Sequence, residues 1–140
     1  MSLIMETILG DPAKAADFRK RIFKMSDYFP ESLDENFQVG DAGSRLHLIF
    51  GAEAVILAKI GMIPYAKTGY DGFVVLPGID DVKTVKGVHF RDSIININYH
   101  GSGLNAEIYL NGKKVDSDKR NFIPFSAFSD GVNEVDVYYQ

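Results

Sequence analysis

The 140-residue sequence has no cysteine and no tryptophan, and only five prolines and three histidines. Without cysteine there is no disulfide, no thiolate metal site and no cysteine nucleophile, a composition that fits a reducing compartment. His47, His89 and His100 are scattered, with no His or carboxylate partner at metal-ligand spacing. No zinc or iron site is therefore expected, and no cofactor is implied. Positive charge is scarce as well: 15 Lys and Arg stand against 19 Asp and Glu, for a formal net charge of −4. A nucleic acid or an anionic membrane needs clustered basic residues to displace its counterions, so neither is an expected partner. The opening Met1-Ser2-Leu3-Ile4-Met5 carries no basic residue, and Glu6 and Asp11 break its apolar run short of signal-peptide length. Neither export nor a membrane span is expected, and the expected location is cytoplasmic.

What is present is an ordinary globular composition, 46% hydrophobic and 24% charged, with a change of period near its middle. Asp11-Pro12 opens a first helix: the Asp side chain can cap free N–H groups, and Pro at the first helical position lacks only a donor that would be unused. Ala15, Phe18, Ile22 and Met25 follow at helical steps, so this helix is expected to run to about Lys24 or Asp27 with Lys14, Arg19 and Arg21 on its wet face. Tyr28 to Gly43 reads as a long polar connector. A second helix is expected over 44–60, ending at Gly61, with Lys59 favourable in its last turn. Its apolar residues, from Leu46 to Ile60, occupy every side of the cylinder, which belongs inside a larger helical core or a self-associated one.

Past Gly72 the pattern alternates with period two. In 94–100, Ile95, Ile97 and Tyr99 share one face and Asn96, Asn98 and His100 the other. Ala106, Ile108 and Leu110 face inward against Glu107 and Tyr109, and Asn111-Gly112 supplies the positive φ angles of a two-residue hairpin turn. In the last strand Val135, Val137 and Tyr139 alternate with Glu134, Asp136 and Tyr138. Short strands at this spacing predict antiparallel pairing in a sandwich.

From Gly61 onward, the passages Tyr70-Asp71-Gly72-Phe73-Val74-Val75-Leu76-Pro77, Ile108-Tyr109-Leu110-Asn111-Gly112-Lys113-Lys114-Val115, Ile123-Pro124-Phe125 and Asp130-Gly131-Val132-Asn133-Glu134-Val135-Asp136-Val137 occur in order. This order resembles the C-terminal ends of carbohydrate-active (α/α)6-barrel enzymes such as cellobiose phosphorylases, where the last barrel helices pass into a small β-sandwich. Gly10-Asp11-Pro12-Ala13-Lys14-Ala15, then Tyr28-Phe29-Pro30-Glu31-Ser32-Leu33-Asp34 and a helix near Leu46, is similar to the late barrel region of glucoamylase-type and glycogen-debranching enzymes. That resemblance implies Glu31 as the base that activates water and Asp34 as its neighbour. His47, on the second helix, could join them in a polar pocket, and His47 and Tyr28 are the candidate substrate contacts. The chain departs from the pattern in carrying Phe50-Gly51 where the family has a Trp-Ser or Trp-Ala pair.

Inverting glycoside hydrolysis needs two carboxyl groups, one acid and one base. Only the base is proposed here, so the chain alone is expected to be inactive. Each candidate has a plainer alternative. Glu31 also reads as an exposed loop carboxylate, His47 as a residue satisfying nearby backbone, and Glu53 as a structural partner of Lys59 or Arg45. Gly101-Ser102-Gly103 reads as a hairpin loop, since no helix follows it. Tyr109 and Tyr138, on the polar faces of their strands, are candidates for stacking on sugar rings; β propensity alone also accounts for them.

The expected fold is α+β, an N-terminal helical hairpin followed by a C-terminal antiparallel β-sandwich. Its parts are a helical segment over 1–61, a linker over 62–72 and the sandwich over 73–140. The expected role is an accessory fragment of a glycoside hydrolase-like enzyme acting on α-glucans or related glycosides. Its partners are an oligosaccharide or glycoside, and either the remainder of a parent enzyme or a second copy docked through the 44–60 helix. The alternatives are an independent carbohydrate-binding sandwich and a non-catalytic, self-associating structural domain.

Overall fold

In the computed structural model, the structure describes Thr7 and residues 10–24, 56–65, 71–117 and 119–140. The first helix, α1, spans Pro12–Lys24. Asp11 caps it as expected: its Oδ1 accepts from Ala13 N at 2.8 Å and its carbonyl from Ala15 N at 3.0 Å. Of the second expected helix, 44–55 lie outside the described residues, while 56–60 are helical. The helix stops where the sequence places its stop. Gly61 N donates to Leu57 O at 3.0 Å, and Gly61 takes φ +84°.

Eight strands follow among the described residues. β1 (Met62–Tyr65), β2 (Gly72–Val75) and β7 (Phe122–Pro124) form a three-stranded antiparallel sheet in the order β1-β2-β7. β3 (Thr84–Phe90), β4 (Ser93–Gly101), β5 (Ala106–Leu110), β6 (Lys113–Lys114) and β8 (Gly131–Tyr139) form a five-stranded sheet in the order β3-β4-β8-β5-β6. The chain is thus α+β and rich in sheet. Met62–Tyr65, expected as the start of a linker, is an edge strand instead. Pro64 does not forbid this, because an edge strand needs hydrogen bonds on one side only.

A second correction concerns direction. The strands are not all antiparallel: β4 and β8 pair in parallel from Ser93↔Gly131 to Gly101↔Tyr139. Period-two alternation fixes which face each side chain takes but carries no information on the direction of the neighbour. Residues 102–130 make the crossover, placing β7 in the other sheet before the chain returns as β8. Gly101-Ser102-Gly103 is accordingly not a hairpin loop, since β8 lies between β4 and β5.

Both sheets contribute to one core. Phe73, Val75 and Ile123 from the small sheet cluster with Ile95, Ile97, Ile108, Leu110, Val135 and Val137 from the large one. The rings of Phe90, Phe125 and Phe128 meet Phe73 edge-on at 5.0, 5.0 and 5.6 Å. Two inward tyrosines carry their hydroxyls into this core and find acceptors there. Tyr99 donates to Ile60 O and Tyr139 to Leu76 O, each at 2.6 Å. Burial pushes both hydroxyls well above the ordinary tyrosine range, keeping them neutral donors. Gly61 permits the first contact, since a Cβ there would lie 2.6 Å from the Tyr99 hydroxyl.

Arg19 overturns another expectation. Its relative exposure is 2%, so it does not lie on the wet face of α1. It stands one turn beyond buried Ala15, and its guanidinium reaches the carbonyls at the end of the 56–60 helix.

Candidate ligand-binding face

The polar face of the five-stranded sheet gathers the side chains with chemistry to offer. Alternation turns Asn96, Asn98 and His100 of β4, Glu134, Asp136 and Tyr138 of β8, and Glu107 and Tyr109 of β5 away from the core. The parallel register sets Asn96, Asn98 and His100 directly beside Glu134, Asp136 and Tyr138. On the far side of β8, the antiparallel register sets Glu107 beside Tyr138 and Tyr109 beside Asp136. The result is a grid three strands wide.

Contacts within the grid fix its side chains. Asp136 Oδ1 accepts from Asn98 Nδ2 at 3.3 Å and lies 3.1 Å from His100 Nε2. The His100 ring stacks on Tyr138 at 4.5 Å with 14° between planes, and Tyr109 meets Tyr138 edge-on at 5.7 Å. Lys114 Nζ holds Glu107 Oε1 at 2.7 Å, and that bond raises the Lys114 ammonium above its ordinary range. Glu107, Tyr109, Gly112, Asp136, Tyr138 and Gln140 line an open depression of about 480 Å³. Tyr138, 43% exposed, forms one wall.

The end of the grid is tied down from beneath. Buried Asn133 binds the Ser129 and Gly131 carbonyls through Nδ2, and its Oδ1 accepts from Ser129 and from Asn111 Nδ2. Asn111 Oδ1 in turn accepts from Glu134 N at 2.8 Å. The β5–β6 turn is thereby locked to the start of β8, which holds Tyr109 and Gly112 in place beside Asp136.

Of the residues singled out from sequence, Tyr109 and Tyr138 come together on this face. Glu31, Asp34, His47 and Tyr28, with Glu53 and the connector 28–43, lie outside the described residues. His100 enters the site as a stacking and hydrogen-bonding partner. The signal for it was its place in the Asn96-Asn98-His100 alternation; the missing information was the register against β8. Among the described residues no group of three or more His, Cys, Asp or Glu converges as a metal site. Nor is any described helix long and apolar enough to cross a membrane.

Chemically, the depression pairs aromatic rings with carboxylates and an amide. Such a surface can stack on the face of an aromatic ring or on the C–H face of a saccharide ring and accept its hydroxyl hydrogens. No protein-family model matches this chain, and no curated protein matches it.

Proposed function

We propose that this chain is a carbohydrate-binding module, its two sheets arranged as a β-sandwich and its helices as a hairpin at the N-terminal side, serving a glycoside hydrolase-like enzyme of α-glucans or related glycosides. The observation that carries the binding reading is the row of His100, Tyr138 and Tyr109 across three neighbouring strands, with Glu107 beside Tyr138 and Asp136 beside Tyr109. Aromatic surface supplies the apolar contact and carboxylates supply orientation, a division of labour common to small-molecule sites. The catalytic half of the proposal, Glu31 with Asp34 as its neighbour, rests on resemblance to glucoamylase-type sequences, with Tyr28 and His47 as candidate substrate contacts.

Titration calorimetry of the chain with maltooligosaccharides tests the binding reading. Measurable heat that disappears in Tyr138→Ala supports it; no binding by the wild-type chain removes it. The catalytic reading is tested separately in a full-length parent, where Glu31→Gln is expected to lower turnover by about 10²–10⁴-fold. A second reading, self-association through the 44–60 helix, is favoured by Ile56, which is 58% exposed at the described end of that helix. Sedimentation of the chain as a monomer across its soluble range would dismiss it.

A further inference from the structure

Beyond Glu107, on the opposite side from Tyr138, lies a second cavity of about 280 Å³, lined among others by Glu107, Lys114, Ser117, Lys119, Arg120 and Asn121. We propose that this cavity is an oxyanion-binding subsite, taking the sulfate, phosphate or carboxylate group of an acidic saccharide whose rings lie on the Tyr109–Tyr138 face. The inference rests on the carbohydrate-binding reading for the saccharide, and on the cavity's own residues for the anion.

The first ground is charge. Among the described lining residues, Lys114, Lys119 and Arg120 stand against the single carboxylate of Glu107, although the chain as a whole carries a net charge of −4. Glu107 is engaged by Lys114 at 2.7 Å, so among the described lining residues Lys119 and Arg120 are the cations that no lining carboxylate pairs. Both are held in place. Lys119 Nζ sits 4.6 Å from the centre of the Phe122 ring, and Arg120 Nη1 donates to Gly10 O at 3.2 Å. A guanidinium has five N–H donors, so this single bond leaves a fork for an oxyanion.

The second ground is independent of charge. Asn121 is only 6% exposed, and its Nδ2 has no hydrogen-bond partner. Turning the amide does not relieve this, because it would set Nδ2 against Ala106 N, from which Oδ1 accepts at 3.3 Å; the backbone is held as well, Asn121 O accepting from Val75 N at 2.8 Å. Those two bonds tie the residue to β5 of one sheet and β2 of the other, with its backbone at φ +53°. A buried donor without an acceptor is costly and rare in a folded chain. An oxyanion in the cavity that Asn121 lines gives that donor its acceptor and neutralises Lys119 and Arg120 together. The two cavities share Glu107, which places the anion next to the aromatic face rather than remote from it.

The test uses the whole chain labelled with ¹⁵N. Inorganic sulfate, compared with chloride at equal ionic strength, is expected to shift the Asn121 side-chain amide and the backbone amides of 119–121. Sulfated maltoheptaose is expected to bind at least ~10-fold more tightly than maltoheptaose, as charge-assisted hydrogen bonds are roughly twice as strong as neutral ones. In Lys119→Ala/Arg120→Ala, whose side chains lie at the surface, that preference should fall to about 1 while maltoheptaose binding is unchanged, because the removed charges serve only the anion. Tyr138→Ala should do the reverse, losing maltoheptaose and keeping the sulfate shifts. Maltoheptaose binding without sulfate shifts at 119–121, or a preference that survives the double variant, overturns the subsite and leaves the aromatic face standing. Sulfate shifts without binding of either saccharide overturn the carbohydrate reading and assign the cavity to a free oxyanion.

Discussion

Arg19 and Asp81, 62 residues apart in sequence, meet at 2.8 Å. The Arg19 side chain is 3% exposed and that of Asp81 33%. Arg19 Nε also donates to Ala58 O at 2.7 Å, and Nη2 lies 3.5 Å from Lys59 O. One guanidinium therefore joins α1, the C-terminal end of the 56–60 helix and the segment that follows β2. A cation at a helix C-terminus answers the negative end of the helix dipole, and a planar fork can serve several acceptors at once.

Arg19→Ala is accordingly expected to destabilise the fold by about 3 kcal/mol, since it removes charged hydrogen bonds and uncovers buried carbonyls. Arg19→Lys should recover little of this, because one ammonium cannot reproduce the fork. Urea unfolding checks both. Two variants as stable as wild type would show that the guanidinium is not what joins these elements.

Asp81 gives the same cluster a pH dependence. Burial alone would raise its pKa, but hydrogen bonds from Lys59 and Arg19, together with the Arg19 charge, outweigh burial and hold it below the ordinary carboxylate value. A carboxylate depressed in the folded state binds fewer protons there than in the unfolded chain. Its stabilisation is full above the unfolded value of about 4 and is lost as pH falls through the folded value. Thermal melting between neutral and acid pH should show this loss, and Asp81→Asn should flatten the acid limb. An unchanged slope in that variant would assign the acid sensitivity to other carboxylates.

How far the sequence was legible depended on whether the information was local. Asp11 capping α1, Gly61 ending the second helix and Asn111-Gly112 turning β5 into β6 are local devices, and each stands where its chemistry requires. The inward faces of β4, β5 and β8 likewise follow from alternation. What escaped was set by distant partners. Helical spacing alone places Arg19 on the wet face of α1, because its partners at Ala58 and Asp81 lie far along the chain. The parallel pairing of β4 with β8 escaped because the alternation of an individual strand says nothing of its neighbour's direction. For the candidate site, Tyr109 and Tyr138 were recognisable as outward aromatics, whereas His100, Asp136 and Glu107 became a group only through the two registers. Asn121 offered no periodic signal; its role comes from a turn that bridges the sheets.

Two glycines separate backbone strain from steric exclusion. Asn111 and Gly112 take φ +51° and +77°, as a type I′ turn requires, and a Cβ on Gly112 would meet nothing within 4 Å. Gly112→Val should therefore cost on the order of 1 kcal/mol or slightly more, all of it backbone strain, with the helices intact. Gly72 is the contrasting case. A Cβ there would come within 2.2 Å of Ile123 O, so Gly72→Ala has to push β2 from β7 and should cost several times as much. Denaturant midpoints order the two variants, and an equal loss in both would contradict this assignment.

The aromatic face and the basic cavity should also differ in how salt affects them. Tyr138 is 43% exposed but makes cross-strand ring contacts with His100 and Tyr109, so Tyr138→Ala should cost about 1 kcal/mol of stability and leave the fold intact. Its expected effect falls on maltoheptaose affinity, which depends on ring contact. Asp136→Asn retains the shape of the grid but removes the charge that faces His100 Nε2 at 3.1 Å and accepts from Asn98. It should weaken the same ligand by about 10-fold, the loss of one charged hydrogen bond. Neither effect should change much between low and high salt, because a neutral saccharide releases no counterions. Binding of the sulfated ligand should weaken as salt screens Lys119 and Arg120 over a Debye length of about 10 Å at 0.1 M. Calorimetry at two ionic strengths separates these behaviours. Salt-sensitive maltoheptaose binding, or maltoheptaose binding indifferent to Tyr138→Ala, would place the saccharide elsewhere than on the rings of His100, Tyr138 and Tyr109.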